Sequence, residues 1–379
     1  MTGHPAPRLG ALDHLRGLTI AAMIVVNNPG NWNSVFPQLM HAAWNGVTLA
    51  DLIFPAFIFI MGVAVPLALA RQRTVAGGAS VVRRVLVRSA VLVLLGLALN
   101  LAAAWPAVAA IRIPGVLQRI GLTYLVTALI VADASDRRVW TLAVTLLLVQ
   151  WAALMLPVLP MGGVLEPGHN AGVALDRVLF GAHLLTPSGD PEGALGLLGS
   201  VATALAGAGI GRWLLHHAAA TGGHALAAPR RVFAPLAVGG TAAVLLGLAW
   251  SAVLPFNKPL WTGSFALLAC GVATLSLVAF LWAEPAGSKR GFAPLLWLGT
   301  NPLAIYFLSE LLTNVLQRSW LIVNGHRAAP KDWFYWDVLA PAMGDGGGRW
   351  SSLAYAMLYA LLWVGVAGVM RRRGVRLTA

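Results

Sequence analysis

Long apolar runs alternate with short polar loops along this chain, and ten of the runs approach the length that crosses a bilayer. They lie near residues 15–28, 51–70, 86–104, 115–132, 140–159, 193–215, 232–254, 261–282, 292–315 and 351–370. A transmembrane helix needs about 20 apolar residues, which the first run reaches only by starting near Leu9. Strand-type alternation is absent and the runs are too long for barrel strands. The pattern predicts an all-α protein: a polytopic integral membrane helical bundle of about ten transmembrane helices, forming one domain over residues 1–379. The longest loops are 29–50, 160–192 and 317–350. The second is rich in Gly and Pro, with an amphipathic helix predicted near 173–180. The third contains KDWFYWDVLAPAM, which suits a helix lying in the interface, where Trp and Tyr rings settle. Loop 216–231 reads as a plain connector whose His216, His217 and His224 are solvated rather than metal-binding. No internal repeat is evident.

Composition agrees with lipid as the solvent. Of 379 residues 58% are hydrophobic and 10% charged, against roughly 25% charged in soluble proteins, and the mean hydropathy is +0.76. Cytoplasmic loops retain Lys and Arg. With the N-terminus inside, eighteen of the 26 basic residues fall on the inner side. Seven fall outside: Arg112, Arg177, Lys258, Arg318, Arg327, Lys331 and Arg349. Arg119 is left within a span. Both termini are therefore expected to be cytoplasmic and the three long loops external. The net charge of +13 reflects this bias and does not imply a nucleic-acid partner. The one cysteine, Cys270, lies in an apolar run, so neither a disulfide framework nor a cysteine metal site is expected, and no metal is predicted. The N-terminus enters the first run without a small-residue cleavage site.

Ionisable and amide groups inside or beside spans are costly and default to functional hypotheses. Asp13 and Arg16 are three apart, on one helix face; they form either a structural pair at the cytoplasmic edge or part of a site. Asn27 and Asn28 end the same helix as caps or as donors to a reacting carbonyl. Asp51 opens the second span, either complementing the helix dipole or orienting a histidine. Arg119 needs a carboxylate, a helix C-terminus or a ligand phosphate. Glu310 lies deep in the ninth span, nine residues after Asn301, and Pro302 suits the first turn of a helix. His41 stands in loop 29–50 among Asn31, Asn33, Asn45 and the flanking Asn27, Asn28 and Asp51, with no Lys or Arg nearby. It is an ordinary loop histidine or a base with a partner and oxyanion donors to hand.

The segments RLGALDHLRGLTIAAMIVVNNPG and HAAWNGVTLADLIFPAFIFIMG resemble the heparan-α-glucosaminide N-acetyltransferase family and its bacterial relatives, within the wider group of transmembrane acyltransferases. IRIPGVLQRIGLTYLV, DPEGALGLLGSVATALAG, PFNKPLWTGSFALL and GTNPLAIYFLSE follow in order over nearly the whole chain. The resemblance implies an enzyme that takes an acetyl group from cytosolic acetyl-CoA to a glucosamine-type amine on the far side. It maps the catalytic histidine onto His41 and its partner onto Asn27, with Asn28 as the fallback. The spacing from that asparagine to the histidine is longer here than in the animal enzymes. Those also carry a luminal domain before this core, so heparan sulfate itself is not the expected acceptor.

Arg83, Arg84, Arg88 and Arg119 are candidates for the CoA phosphates, although the Arg71–Arg88 cluster is also what topology alone produces. The expected partners are the lipid bilayer, acetyl-CoA and an amino sugar or glycan acceptor, in a bacterial cytoplasmic (inner) membrane, with room for a homodimer. His41 would act as general base or acetyl carrier. O-acetylation of a cell-envelope glycan, or transport without chemistry, are the competing readings.

Overall fold

All ten apolar runs become helix. The computed structural model describes residues 9–75, 78–157, 159–220, 229–283, 293–323 and 325–375. Its long helices are α1 (Gly10–Asn27), α2 (Leu49–Val75), α3 (Gly78–Ala104), α4 (Val116–Asp133), α5 (Asp136–Met155), α7 (Ala194–Ala220), α8 (Pro229–Ser251), α9 (Gly263–Ala283) and α14 (Arg349–Arg372). The ninth run is divided into α10 (Ala293–Thr300) and α11 (Pro302–Leu316). Loop 160–192 carries a hairpin, β1 (Leu165–Glu166) with β2 (His169–Asn170), and then α6 (Ala171–Phe180), close to the expected amphipathic helix. Loop 317–350 carries the hairpin β3 (Leu321–Val323) with β4 (His326–Ala328). It then coils as α12 (Pro330–Trp333), a wider π turn (Phe334–Leu339) and α13 (Ala340–Met343).

Among the described residues eight helices, α2, α3, α4, α5, α7, α8, α9 and α14, are long and apolar enough to cross a membrane. The pair α10–α11, bent by 85°, makes a ninth if counted as one span. The described residues thus give eight or nine spans for the ten runs, in keeping with the polytopic all-α bundle expected. α1 is not among the qualifying helices, because Asp13, His14 and Arg16 fall in its first two turns. The continuous ninth run is corrected. Pro302 supplies no N–H and its ring crowds the preceding turn; the chain turns at Asn301 and restarts with Pro302 in the first turn, as its position suggested. Large apolar side chains stand exposed along α3, α5, α8 and α14, among them Leu94, Val144, Val238, Leu245 and Leu361. On a water-soluble protein such a surface would mark aggregation; here it faces hydrocarbon, and the chain is an integral membrane protein.

A second correction concerns the connector after α7. That helix continues to Ala220, so His216 and His217 are helical. His216 Nδ1 lies 3.6 Å from Asp136, and His217 Nδ1 lies 3.0 Å from the Trp213 carbonyl. The rest of that connector, with His224, lies outside the described residues, as do Arg8, Lys289, Arg290, Arg376 and the side chains of Arg73, Arg230 and Arg231.

The described chain divides into two compact units, one of residues 1–12, 43–47 and 55–287 and the other of 13–42, 48–54 and 288–379. In the first, α3 packs on α4, α8 on α9, and α7 against both α4 and α5. Val65, Val85, Tyr124, Val139, Val201 and Leu205 fill the space between α2, α3, α4, α5 and α7. Small residues set the spacing, as is usual where lipid offers no hydrophobic drive for helix association. A Cβ on Gly62 would sit 2.0 Å from the Ala204 carbonyl oxygen, and one on Gly207 2.2 Å from that of Phe59.

In the second unit α10 packs on α14, and α1 approaches α10 through glycine in both directions. A Cβ on Gly17 would lie 1.8 Å from the Leu295 oxygen, and one on Gly299 1.9 Å from that of Asp13. Tyr335, Tyr355, Tyr359 and Trp363 form a ladder with successive ring centroids 6.3, 6.5 and 6.4 Å apart. Gly62→Val should lower the thermal unfolding midpoint in detergent through overpacking worth about 1–3 kcal/mol, whereas Gly239→Ala, which meets open space, should leave it nearly unchanged.

Candidate active site

In the second unit the chain leaves α1 through Asn27, crosses a single tight turn at Pro37–Leu39, and reaches His41 before entering α2. Thr48, Leu49, Ala50 and Asp51 form the helix start. The Asp51 carboxylate reaches back to the Thr48 backbone N–H, with Oδ2 accepting at 3.1 Å, which is half of a capping box. The same oxygen accepts from the Ala42 N–H at 3.0 Å and lies 3.1 Å from the Thr48 hydroxyl. These contacts lock the carboxylate and direct Oδ1 outward to His41 Nδ1 at 2.8 Å. Asp51 is buried, whereas the His41 side chain is 46% exposed. A carboxylate facing Nδ1 selects the tautomer protonated there and makes Nε2 the basic nitrogen. The two readings of Asp51 are thus the same geometry: one oxygen caps the helix and the other orients the imidazole.

Asn27 is brought to Glu310, not to His41; its Nδ2 donates to Glu310 Oε1 at 3.1 Å. Asn28 has both ends of its amide committed. Its Nδ2 donates to the Ile24 carbonyl at 2.9 Å, and its Oδ1 accepts from the Thr313 hydroxyl at 2.6 Å. The Tyr359 hydroxyl donates to the Ser309 carbonyl at 2.7 Å and lies 3.1 Å from Thr313 Oγ1. The polar end of α1 is therefore matched by a polar patch of α11 and α14 that sequence reasoning found only at Glu310. Ser309 and Thr313 flank Glu310 at one-turn spacing, and that was the available signal.

Asp13 and Arg16 pair at 3.1 Å, as their spacing implied. They stand fourteen and eleven residues before Asn27 on the same helix, roughly 21 and 16 Å along its axis, and belong to the opposite end. Asn301 is buried at the α10–α11 bend, where its Nδ2 donates to the Val375 carbonyl at 3.0 Å.

In the first unit Asn45 is tied to the PFNKPLW segment. Asn257 Nδ2 donates to Asn45 Oδ1 at 3.1 Å and to the Trp44 carbonyl at 3.3 Å, and the Gly46 N–H donates to the Phe256 carbonyl. Arg119 has neither a carboxylate nor a helix C-terminus as its hydrogen-bond partner among the described residues. Its Nη2 donates to the Gly193 carbonyl at 2.8 Å, and its guanidinium carbon lies 5.2 Å from the Trp261 ring centroid. Its Nε and Nη1 are buried with no hydrogen-bond partner among the described residues. Arg83 and Arg84 are exposed, and Arg88 sits over the Tyr124 ring at 4.8 Å.

The same unit holds a carboxylate group that the sequence did not signal. Arg112 is clamped by Asp190 and Glu192, with its Nε donating to Asp190 Oδ2 at 2.7 Å. Burial alone would lower the affinity of Arg112 for its proton, but the two acids hold it well above the usual value. Burial likewise opposes ionisation of Asp190, yet Arg112 and the backbone donors pull it below the carboxylate range. Asp176 has no such cation. It accepts the Ala194 N–H through Oδ1 at 2.7 Å, and burial pushes its pKa up to about 6.

Against known proteins, the family described as "Heparan-alpha-glucosaminide N-acetyltransferase, catalytic" matches residues 8–246. The chain belongs to this family. "Heparan-alpha-glucosaminide N-acetyltransferase" of Mus musculus is 29% identical over 410 aligned residues, which cover 93% of this chain and 60% of the relative. The Homo sapiens protein of the same name is 30% identical over 414 residues, covering 93% and 59%. The chain thus spans about 60% of the length of these curated relatives. The matched region includes His41, Asn27 and Asp51 and stops short of Glu310.

The raised Asp176 makes a signed prediction. Its folded pKa lies above the unfolded value, so the folded state binds more protons and the group disfavours folding as pH rises from about 4 to 6 and beyond. Asp176→Asn keeps an acceptor for Ala194. It should therefore raise stability at pH 8, on the order of 2 kcal/mol, and change it little at pH 4, as read from thermal midpoints in detergent.

Proposed function

We propose that this chain is a transmembrane acetyltransferase that moves an acetyl group from cytosolic acetyl-CoA to an amino sugar or related glycan acceptor on the extracytoplasmic side. The His41–Asp51 pair carries this reading: a half-exposed imidazole whose Nδ1 faces a buried, capped carboxylate at 2.8 Å. A base held in one tautomer by an acid is the arrangement general-base catalysis needs. His41 Nε2 takes the proton of the acceptor amine as that nitrogen bonds to the acetyl carbonyl carbon; the carbon–sulfur bond breaks, and His41 passes the same proton to the sulfur so that CoA leaves as its thiol. In the alternative order Nε2 itself attacks, the acetyl group rests on His41, and the amine displaces it.

Asn27 is the donor for the carbonyl oxygen as it gains negative charge. Glu310 accepts one of its amide hydrogens and so fixes the orientation of the other. Asn28, with both amide ends engaged, is the structural member of the pair. The exposed Arg83 and Arg84 suit the CoA phosphates, and Arg88 adds a third cation on α3. Arg119, hydrogen-bonded to a backbone carbonyl and stacked on Trp261, suits the scaffold. The sidedness rests on the distribution of Lys and Arg, which also supports a multi-pass protein of a bacterial cytoplasmic membrane. The glucosaminide in the relatives' names supports an amino sugar as the acceptor class.

One observation favours a second reading. The 85° break at α10–α11 resembles the discontinuous helices of secondary transporters. Proteoliposomes supplied with acetyl-CoA and glucosamine separate the two, because the enzyme releases free CoA and acetylated sugar while a transporter moves intact solute. His41→Ala should abolish product, and Asp51→Asn should lower kcat by about 10²–10⁴-fold, both in inserted, folded protein. A wild-type rate in His41→Ala would sink the mechanism. Mass spectrometry with amino and N-blocked sugars distinguishes N- from O-transfer.

A further inference from the structure

The first unit contains a cavity of about 260 Å³ bordered by Trp44, Asp176, Asp190, Gly193, Gly196 and Leu260. We propose that this cavity binds a small ligand bearing a protonated amine on a polar ring, and that Asp176 is the group that pairs with the amine.

The volume lies just below the roughly 300–1,000 Å³ of typical small-molecule sites, which suits one ring rather than a chain. The polar groups around the cavity differ in what they have left to offer. Asp190 is used up: its oxygens accept from Arg112 and from the Leu185 and Glu192 backbone N–H groups. Asp176 is not. Its Oδ1 accepts from Ala194, while its Oδ2 has no hydrogen-bond partner among the described residues, although the residue is only 3% exposed. Gly193 keeps that oxygen uncovered, since a Cβ there would lie 2.0 Å from it.

The charged groups facing Asp176 are Asp190 and Arg119. Arg119 is hydrogen-bonded to the Gly193 carbonyl, and Arg112 is taken by Asp190 and Glu192. Arg177, next to Asp176 on α6, is exposed and donates to the Pro187 carbonyl at 3.0 Å. Three carboxylates thus stand with two buried guanidinium groups, and the unmatched charge is the one at the cavity wall. A buried carboxylate without a cation costs stability, and Asp176 shows that cost in its raised pKa. A ligand ammonium supplies the missing partner; a neutral hydroxyl does not. Trp44 gives the cavity a rigid aromatic wall, because its indole N–H is tied to the Leu165 carbonyl at 2.6 Å. Such a face suits both a sugar ring and a cation.

This ligand class coincides with the acceptor of the proposed reaction, on which the biological role of the site rests, but binding is measurable without acetyl-CoA. The test is calorimetric titration of the full-length protein in detergent with glucosamine and with glucose. Wild type should bind glucosamine at least about tenfold tighter than glucose at pH 7.5, and lose that preference as pH falls from 7 to 5. Asp176→Asn should remove the preference, and Ser188→Trp, on the exposed rim, should block both sugars. Failure of wild type to bind glucosamine, equal binding of the two sugars, or a preference retained in Asp176→Asn would overturn the site. A protein that keeps the Asp176-dependent preference yet never acetylates supports the site and removes only the reaction. One that acetylates while Asp176→Asn keeps the preference removes only the site.

Discussion

Hydrocarbon supplies no hydrogen bonds, so every polar group that this chain carries into its helices must be matched by another part of the protein. That constraint explains why the polar residues come in sets. Asp51 is met by two backbone N–H groups and an imidazole. Asn27 meets Glu310, and Asn28 meets Thr313 and its own helix. Asp13 meets Arg16. Where the matching is incomplete, as at Arg119 Nε and Nη1 or Asp176 Oδ2, a costly group has been kept in place. Such groups concentrate at functional sites.

The same constraint shapes the backbone. Helices approach each other at glycine, because tight van der Waals packing replaces the hydrophobic drive that lipid cannot give. Gly17 against Leu295 and Gly299 against Asp13 bring α1 onto α10 within the second unit. α1 thereby presents Asn27 and Asn28 to the polar patch of α11. The break at Asn301–Pro302 lets α10 and α11 run in different directions, so that α11 carries Ser309, Glu310 and Thr313 to the end of α1. α1, whose first turns carry Asp13 and Arg16, is the helix whose far end joins the candidate site.

The division of labour around His41 follows from one short sequence. In Thr48–Leu49–Ala50–Asp51 the acid sits at the third helical position, where reaching back to the first N–H groups is local and independent of the rest of the fold. Only one of its oxygens is needed for that. The other is left for a residue ten positions earlier, and the tight turn at Pro37–Leu39 returns the chain so that His41 occupies it. A cap and a support for the imidazole are obtained from the same side chain.

Residue pattern by itself determined the class of the protein, the place of every long helix with ends off by up to eight residues, as at α3, and the Asp13–Arg16 pair. Each of these depends on hydropathy or on spacing within one helix, which are local properties. The motifs likewise sufficed for the family. Tertiary structure decided which groups meet. Asp51 as the partner of His41, Glu310 as the partner of Asn27, Asn257 as the partner of Asn45 and Gly193 as the partner of Arg119 join residues 10, 283, 212 and 74 positions apart. Nothing in local periodicity encodes such distances. Asp176 escaped notice for the same reason. Its neighbours in sequence are those of an ordinary loop helix, and its isolation exists only once α6 and the start of α7 are folded around it.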